Sequence, residues 1–187
     1  MFEVPATRVL DREWLSAQLA LAARLYPKAS RTTLGVLWWY SASMVMLGPA
    51  VAGEDPALAS ITLVVHTDGR LVDARSTPFM ADGLRDMLAA CVGAVSAVSG
   101  ARERTLWAIA TDSLANRLLW AGRTGDVAAF DVGRELPTPR YVRVGGREFV
   151  KRVSCCLIYQ GTDVGKCVSC PRQTPEDRTA RLSAQPL

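Results

Sequence analysis

The 187 residues are 49% apolar and carry a formal charge of +4, enough chain for one domain with a sizeable core and too little for two. With a mean hydropathy of +0.12 this is a well-filled globular composition, which excludes a disordered chain, and so small a net charge specifies no partner by itself. The opening MFEVPATRVLDREWLS has early acids and no basic stretch leading into an apolar run, so it does not read as an export signal. The expectation is a cytoplasmic protein whose cysteines persist as thiols or metal ligands.

Asp11 followed by REWLSAQLALAARLY predicts a capped helix ending near Tyr26 and stopped by Pro27. From Thr32 to Gly53 the chain then has no charge at all. By length this run could cross a bilayer. However, Trp38, Trp39 and Tyr40 lie inside it, and Gly48, Pro49 and two serines interrupt it. It reads as the central helix of a core, with an aromatic turn lining an apolar pocket as a lesser variant, and weak attachment to the inner face of the membrane as its secondary implication.

SITLVVHTDGRLVDA gives two β-rich runs around Asp68-Gly69, a short hairpin signal. Helices are expected from Ala81 to about Ser99 and from about Arg102 to Trp120. On the second, Leu106, Trp107, Ala110, Leu114 and Leu118 form one apolar stripe, with Thr105, Asp112 and Asn116 away from it and Arg117 at its edge, snorkelling or paired locally. YVRVGGREFV predicts a second hairpin turning at Gly145-Gly146, which sets Val142 opposite Phe149 and Arg143 opposite Glu148, the latter as an ion pair. His66, the only histidine, reads as a turn residue, and Cys91 as a buried core thiol. The fold class is therefore α+β: a helix-rich body with hairpins over 1–139, a hairpin and cysteine-rich segment over 140–173, and a flexible polar tail over 174–187.

The other four cysteines stand in SCCLIYQGTDVGKCVSC with the spacing C-C-x10-C-x2-C: Cys155, Cys156, Cys167 and Cys170. Residues 140 to 172 hold seven basic side chains against Glu148 and Asp163, a local net of +5, so the rest of the chain sums to −1. Three chemistries compete for these sulfurs. A single zinc ion takes paired knuckles readily, but adjacent cysteines on an extended strand point to opposite faces and need a kink to reach one ion. A Cys-x-x-Cys redox pair opens a helix after a strand, whereas here a proline and a polar stretch follow. A [2Fe-2S] cluster is longer than one ion, accommodates divergent neighbours more easily, and gains from nearby positive charge, which favours its more negative reduced form.

The segment SCCLIYQGTDVGKCVSCPR closely resembles the C-terminal signature of the FhuF-type ferric siderophore reductases, with Tyr159 soon after the cysteine pair and Pro171 after the last cysteine. LWWYSASMVM and LWAIATDSLANRLLW resemble that family's helical body more loosely. The resemblance implies a [2Fe-2S] cluster on Cys155, Cys156, Cys167 and Cys170, a ferric siderophore as substrate, and reduction of its iron by one electron. Fe(III) is held tightly by hard oxygen donors and Fe(II) far more weakly, so reduction releases the metal. No general acid, base or nucleophile is needed, and no convincing set is present. The basic residues between 140 and 152 read either as a solvated strand face or as the landing site of an acidic electron donor, a ferredoxin or flavoprotein, or of an anionic chelate. Nucleic acid is not expected, because the basic hairpin has few aromatics for base stacking. The alternative from another class is a zinc-stabilised four-cysteine binding module without redox activity.

Overall fold

The computed structural model describes residues 1–78, 82–130 and 133–185. Its elements are strand β1 (Phe2–Pro5), a 3-10 turn (Ala6–Leu10), α1 (Arg12–Leu25), α2 (Arg31–Met46), α3 (Gly48–Ala52), β2 (Thr62–Val65), β3 (Leu71–Arg75), α4 (Leu84–Ser99), α5 (Glu103–Trp120), a 3-10 turn (Thr124–Phe130), β4 (Tyr141–Val144), β5 (Arg147–Val150), α6 (Ile158–Gly161) and α7 (Pro175–Ser183). This is the expected α+β arrangement. Ala81, where a helix was expected to begin, lies outside the described residues, and α4 starts at Leu84.

The uncharged run forms α2, the axis of the core. Trp39 is fully buried, and α2 packs against α1, α4, α5, β3 and α6. Although Arg31–Ala52 is long and apolar enough to cross a membrane, most of it is buried inside the protein. Its few polar groups are matched within the core: Trp39 Nε1 donates to the Leu106 carbonyl at 2.8 Å, and the Ser43 and Ser113 hydroxyls share a hydrogen bond at 2.8 Å. These two bonds tie α2 to α5, as buried polar groups require. Gly35 lets α2 approach the end of α4, since a Cβ there would lie 2.2 Å from Ser99 Oγ.

Asp11 caps α1 as expected, accepting from the Glu13 and Trp14 amides. The Asp68-Gly69 hairpin is present as β2–β3, with Gly69 at φ +87° and His66 Nδ1 2.9 Å from Asp68 Oδ1 in the turn. β1 adds antiparallel to the other edge of β2, placing Phe2 opposite Val65 and making a three-stranded sheet. The second hairpin has the expected register, Val142 opposite Phe149 and Arg143 opposite Glu148, but among the described residues the latter two form no ion pair. Cys91 is fully buried, and burial pushes its thiol up to about 12. Arg117 donates to the Met44 carbonyl and lies over the Trp120 ring, so it is satisfied locally.

A further expectation is corrected. Where a flexible tail was expected over 174–187, Pro175–Ser183 form helix α7. The Thr174 hydroxyl accepts from the Asp177 amide, Pro175 occupies the first turn, and Glu176 and Asp177 sit at the positive end of the helix. Leu182 is buried, and Arg147 donates to the carbonyls of Leu182 and Gln185, which holds α7 beside the β4–β5 hairpin.

Candidate metal centre

β5 ends at Val150 and delivers the chain over α5 toward Cys155. What holds it there is Asp112, midway along α5 and 1% exposed. Its Oδ1 accepts from the Val153 amide at 2.9 Å. Oδ2 accepts from the Ser154 amide at 2.9 Å, the Ser154 hydroxyl at 2.5 Å and Arg152 Nε at 3.3 Å. A single carboxylate thus organises three consecutive residues immediately before the cysteine pair. The sequence reading placed Asp112 away from the apolar stripe, and that orientation is correct; what it missed is that this face of α5 is covered too. Ile109, Thr111, Ser113 and Ala115 are buried alongside the stripe residues. One signal was present. Asp112 has no basic residue three or four positions away to pair with along its own helix, so its charge needs a partner from elsewhere.

That partner is Arg152, which belongs neither to a solvated strand face nor to a surface patch. Its side chain is 3% exposed. The guanidinium lies 4.9 Å over the Tyr40 ring and donates through Nη1 toward Cys167 Sγ at 3.5 Å. Burial opposes its charge, but Tyr40, Asp112, Cys156 and Cys167 around it more than offset that, so it stays protonated. Its Nη2 is buried and has no partner among the described residues. A charged donor left open in this way lacks an acceptor that its site should supply.

The adjacent cysteines do receive the kink that neighbours on a strand need. Leu157 adopts φ +61°, the one left-handed non-glycine residue among those described, and α6 begins directly after it. The turn aims backbone amides back at the sulfurs, with Leu157 N–H at Cys155 and Ile158 N–H at Cys156. Gly161 closes α6 against the α1–α2 turn, where a Cβ would meet Tyr26, Leu37 and Ala29 at 3.1–3.4 Å. Lys28 and Asp163 form an ion pair across the same junction. On the other arm, the Cys170 amide donates to the Cys167 carbonyl at 3.0 Å, and Gln173 Nε2 donates to the carbonyls of Cys167 and Val168, which curls the Cys-x-x-Cys turn.

The four sulfurs meet in twos, one member of each pair from each arm. Cys155 Sγ lies 3.6 Å from Cys170 Sγ, and Cys156 stands beside Cys167, near enough that the two thiols shift each other. Contact with Cys167 holds the Cys156 thiol down, with the Ile158 amide and the Arg152 guanidinium adding to the effect; the same contact, together with burial, pushes Cys167 up. Burial also raises Cys155. Among the described residues no three His, Cys, Asp or Glu side chains converge so as to hold one metal ion.

Residues 152–172 match the family model described as the FhuF 2Fe-2S C-terminal domain. The match covers the cysteine segment from Arg152 to Arg172 and not the helical body. No curated protein matches the chain. The segment is that of a [2Fe-2S] domain, and the residues fit such a group. A tetrahedral metal with metal–sulfur bonds of about 2.3 Å separates two of its thiolates by about 3.8 Å, close to the Cys155–Cys170 spacing. Two separate pairs suit two irons better than one zinc. The open Nη2 of Arg152 and the two amides offer donors to anionic sulfur.

Proposed function

We propose that this protein is a [2Fe-2S] ferric siderophore reductase in which Cys155, Cys156, Cys167 and Cys170 hold the cluster. The observation that carries this reading is the pairing of the four sulfurs beside a buried, half-satisfied arginine, within the stretch that matches the [2Fe-2S] domain. When bound, the cluster supplies one-electron transfer. The chain's own residues do the rest. Arg152 places a fixed positive charge against the Cys156–Cys167 pair, and Asp112 keeps that charge in position while neutralising part of it. The Leu157 turn directs its amides at Cys155 and Cys156, and α2 shields this side from water with Tyr40. The substrate is a siderophore-bound Fe(III), which leaves as Fe(II) once it has accepted one electron.

The electron comes from an acidic ferredoxin or flavoprotein. Arg140, Arg143 and Lys151 stand exposed on and beside the β4–β5 hairpin and give such a donor a complementary surface. The proposed setting is the cytoplasm, at or near the inner face of the membrane. The test is a single-turnover experiment. Anaerobically purified protein is reduced with dithionite, freed of excess reductant, and mixed with a ferric siderophore and an Fe(II)-specific chromophore. The expected result is about one Fe(II) released per reduced cluster, with return of the oxidised visible spectrum. A colourless protein carrying one zinc ion, or a reduced protein that releases no Fe(II), would overturn the reading.

A further inference from the structure

Cys155 and Cys167 are the half-buried members of the four, and Cys155 faces a cleft. This cleft measures about 910 Å³, and its walls include Trp107, Pro171 and the arginines Arg104, Arg134 and Arg172. Small-molecule sites typically measure roughly 300–1,000 Å³ and combine apolar walls with a few placed polar groups, so this cleft has room for a chelate the size of a siderophore.

Its charge is uneven. Arg104 and Arg134 are exposed and have no ion-pair or hydrogen-bond partner among the described residues. Arg172 donates to the Tyr159 hydroxyl at 3.1 Å, a neutral partner that leaves its charge uncompensated. Of the two acids on the rim, Glu135 is already paired with Arg85 at 3.0 Å, which leaves only Glu103 against the three arginines. Three guanidinium groups around an apolar floor are suited to an anionic, oxygen-rich ligand, which arginine binds through paired N–H donors.

We propose, resting on the reductase reading above, that this cleft is the docking site of the ferric chelate, and that it selects chelates of net negative charge over neutral ones of the same size. A chelate seated there lies directly against Cys155, so the electron leaves from the Cys155 side. The exposed cations of the β4–β5 hairpin stay free for the donor.

Gallium(III) chelates test binding apart from redox chemistry, since gallium(III) matches Fe(III) in charge and size and does not accept the electron. Titration calorimetry of the oxidised holoprotein with the gallium complex of a tris-catecholate (anionic) and of a neutral tris-hydroxamate should show the anion binding about tenfold more tightly at low salt, with the gap narrowing at high salt. The double variant Arg104→Gln/Arg134→Gln should remove about that same factor for the anion and leave the neutral complex unchanged. Arg12→Gln/Arg24→Gln, an equal loss of two charges on α1, should alter neither. Both mutated arginines are exposed, and an unchanged visible spectrum verifies that the variant is folded and loaded. Equal affinity for the two complexes, or an anion affinity indifferent to the double variant, would overturn the cleft assignment. Continued Fe(II) release from ferric chelates in that case would leave the reductase reading standing, and loss of release with gallium binding intact would do the reverse.

Discussion

Asp112→Ala should destabilise the protein by about 3–5 kcal/mol and empty the metal centre. The carboxylate accepts four hydrogen bonds from Arg152, Val153 and Ser154, three of them buried and the one from Val153 partly so. Alanine leaves two amides, a hydroxyl and a buried guanidinium without their acceptor, and each buried orphan is costly. Asp112→Asn should fall between the two. Its carbonyl oxygen still accepts from one or two of these donors, but its amide group presents hydrogens to Arg152. Urea unfolding of each protein as purified anaerobically gives the stability order, and iron analysis of the same samples gives the occupancy. Wild-type stability and full iron in Asp112→Ala would show that the clamp is incidental.

The second large effect is expected at the sulfurs. Cys→Ala at 155, 156, 167 or 170 should each lower cluster occupancy to below about a tenth of wild type, because a ligand set with one member missing loses most of its binding free energy, which in such segments is also folding free energy. Cys91→Ala should leave the visible spectrum intact and reduce stability by only about 1–2 kcal/mol, through a small cavity between α4 and its neighbours. The pairing adds a finer expectation. Losing Cys155 or Cys170 removes half of one sulfur pair, and losing Cys156 or Cys167 half of the other. The double variants Cys155→Ala/Cys170→Ala and Cys156→Ala/Cys167→Ala should therefore lower occupancy no further than their singles. Full iron content in any one of the four single variants would remove that residue from the ligand set.

Much of this architecture is legible before any coordinates. Local patterns locate α1, α2, α5 and both hairpins, because the cap at Asp11, the uncharged run and the Gly turns act within a few residues of themselves. β1 is different. Phe2–Pro5 is held by pairing with residues some sixty positions away, has a proline at its end, and exposes most of its side chains, so nothing nearby marks it as a strand. α7 was present in the sequence as a capping pattern, Thr174-Pro175-Glu176-Asp177, but its polar composition concealed it; it docks through buried Leu182 and the hydrogen bonds from Arg147. At the metal centre the four cysteines and the need for a kink after Cys155-Cys156 could be read directly. The clamp could not. An aspartate on a helix and an arginine after a strand look like ordinary surface charges until the fold buries both. The net of +5 counted along residues 140–172 likewise changes meaning once Asp112 from another helix enters the cluster's surroundings.

The most direct test of the central claim is electron paramagnetic resonance on protein purified without oxygen, measured as isolated and after dithionite. Four thiolates holding two bridged irons should give no signal when oxidised and a half-integer-spin signal when reduced by one electron, accompanied by bleaching of a red-brown colour and by iron and acid-labile sulfide in equal amounts. Silence in both states, with zinc bound and no sulfide, would mean that these cysteines pin the chain without moving electrons.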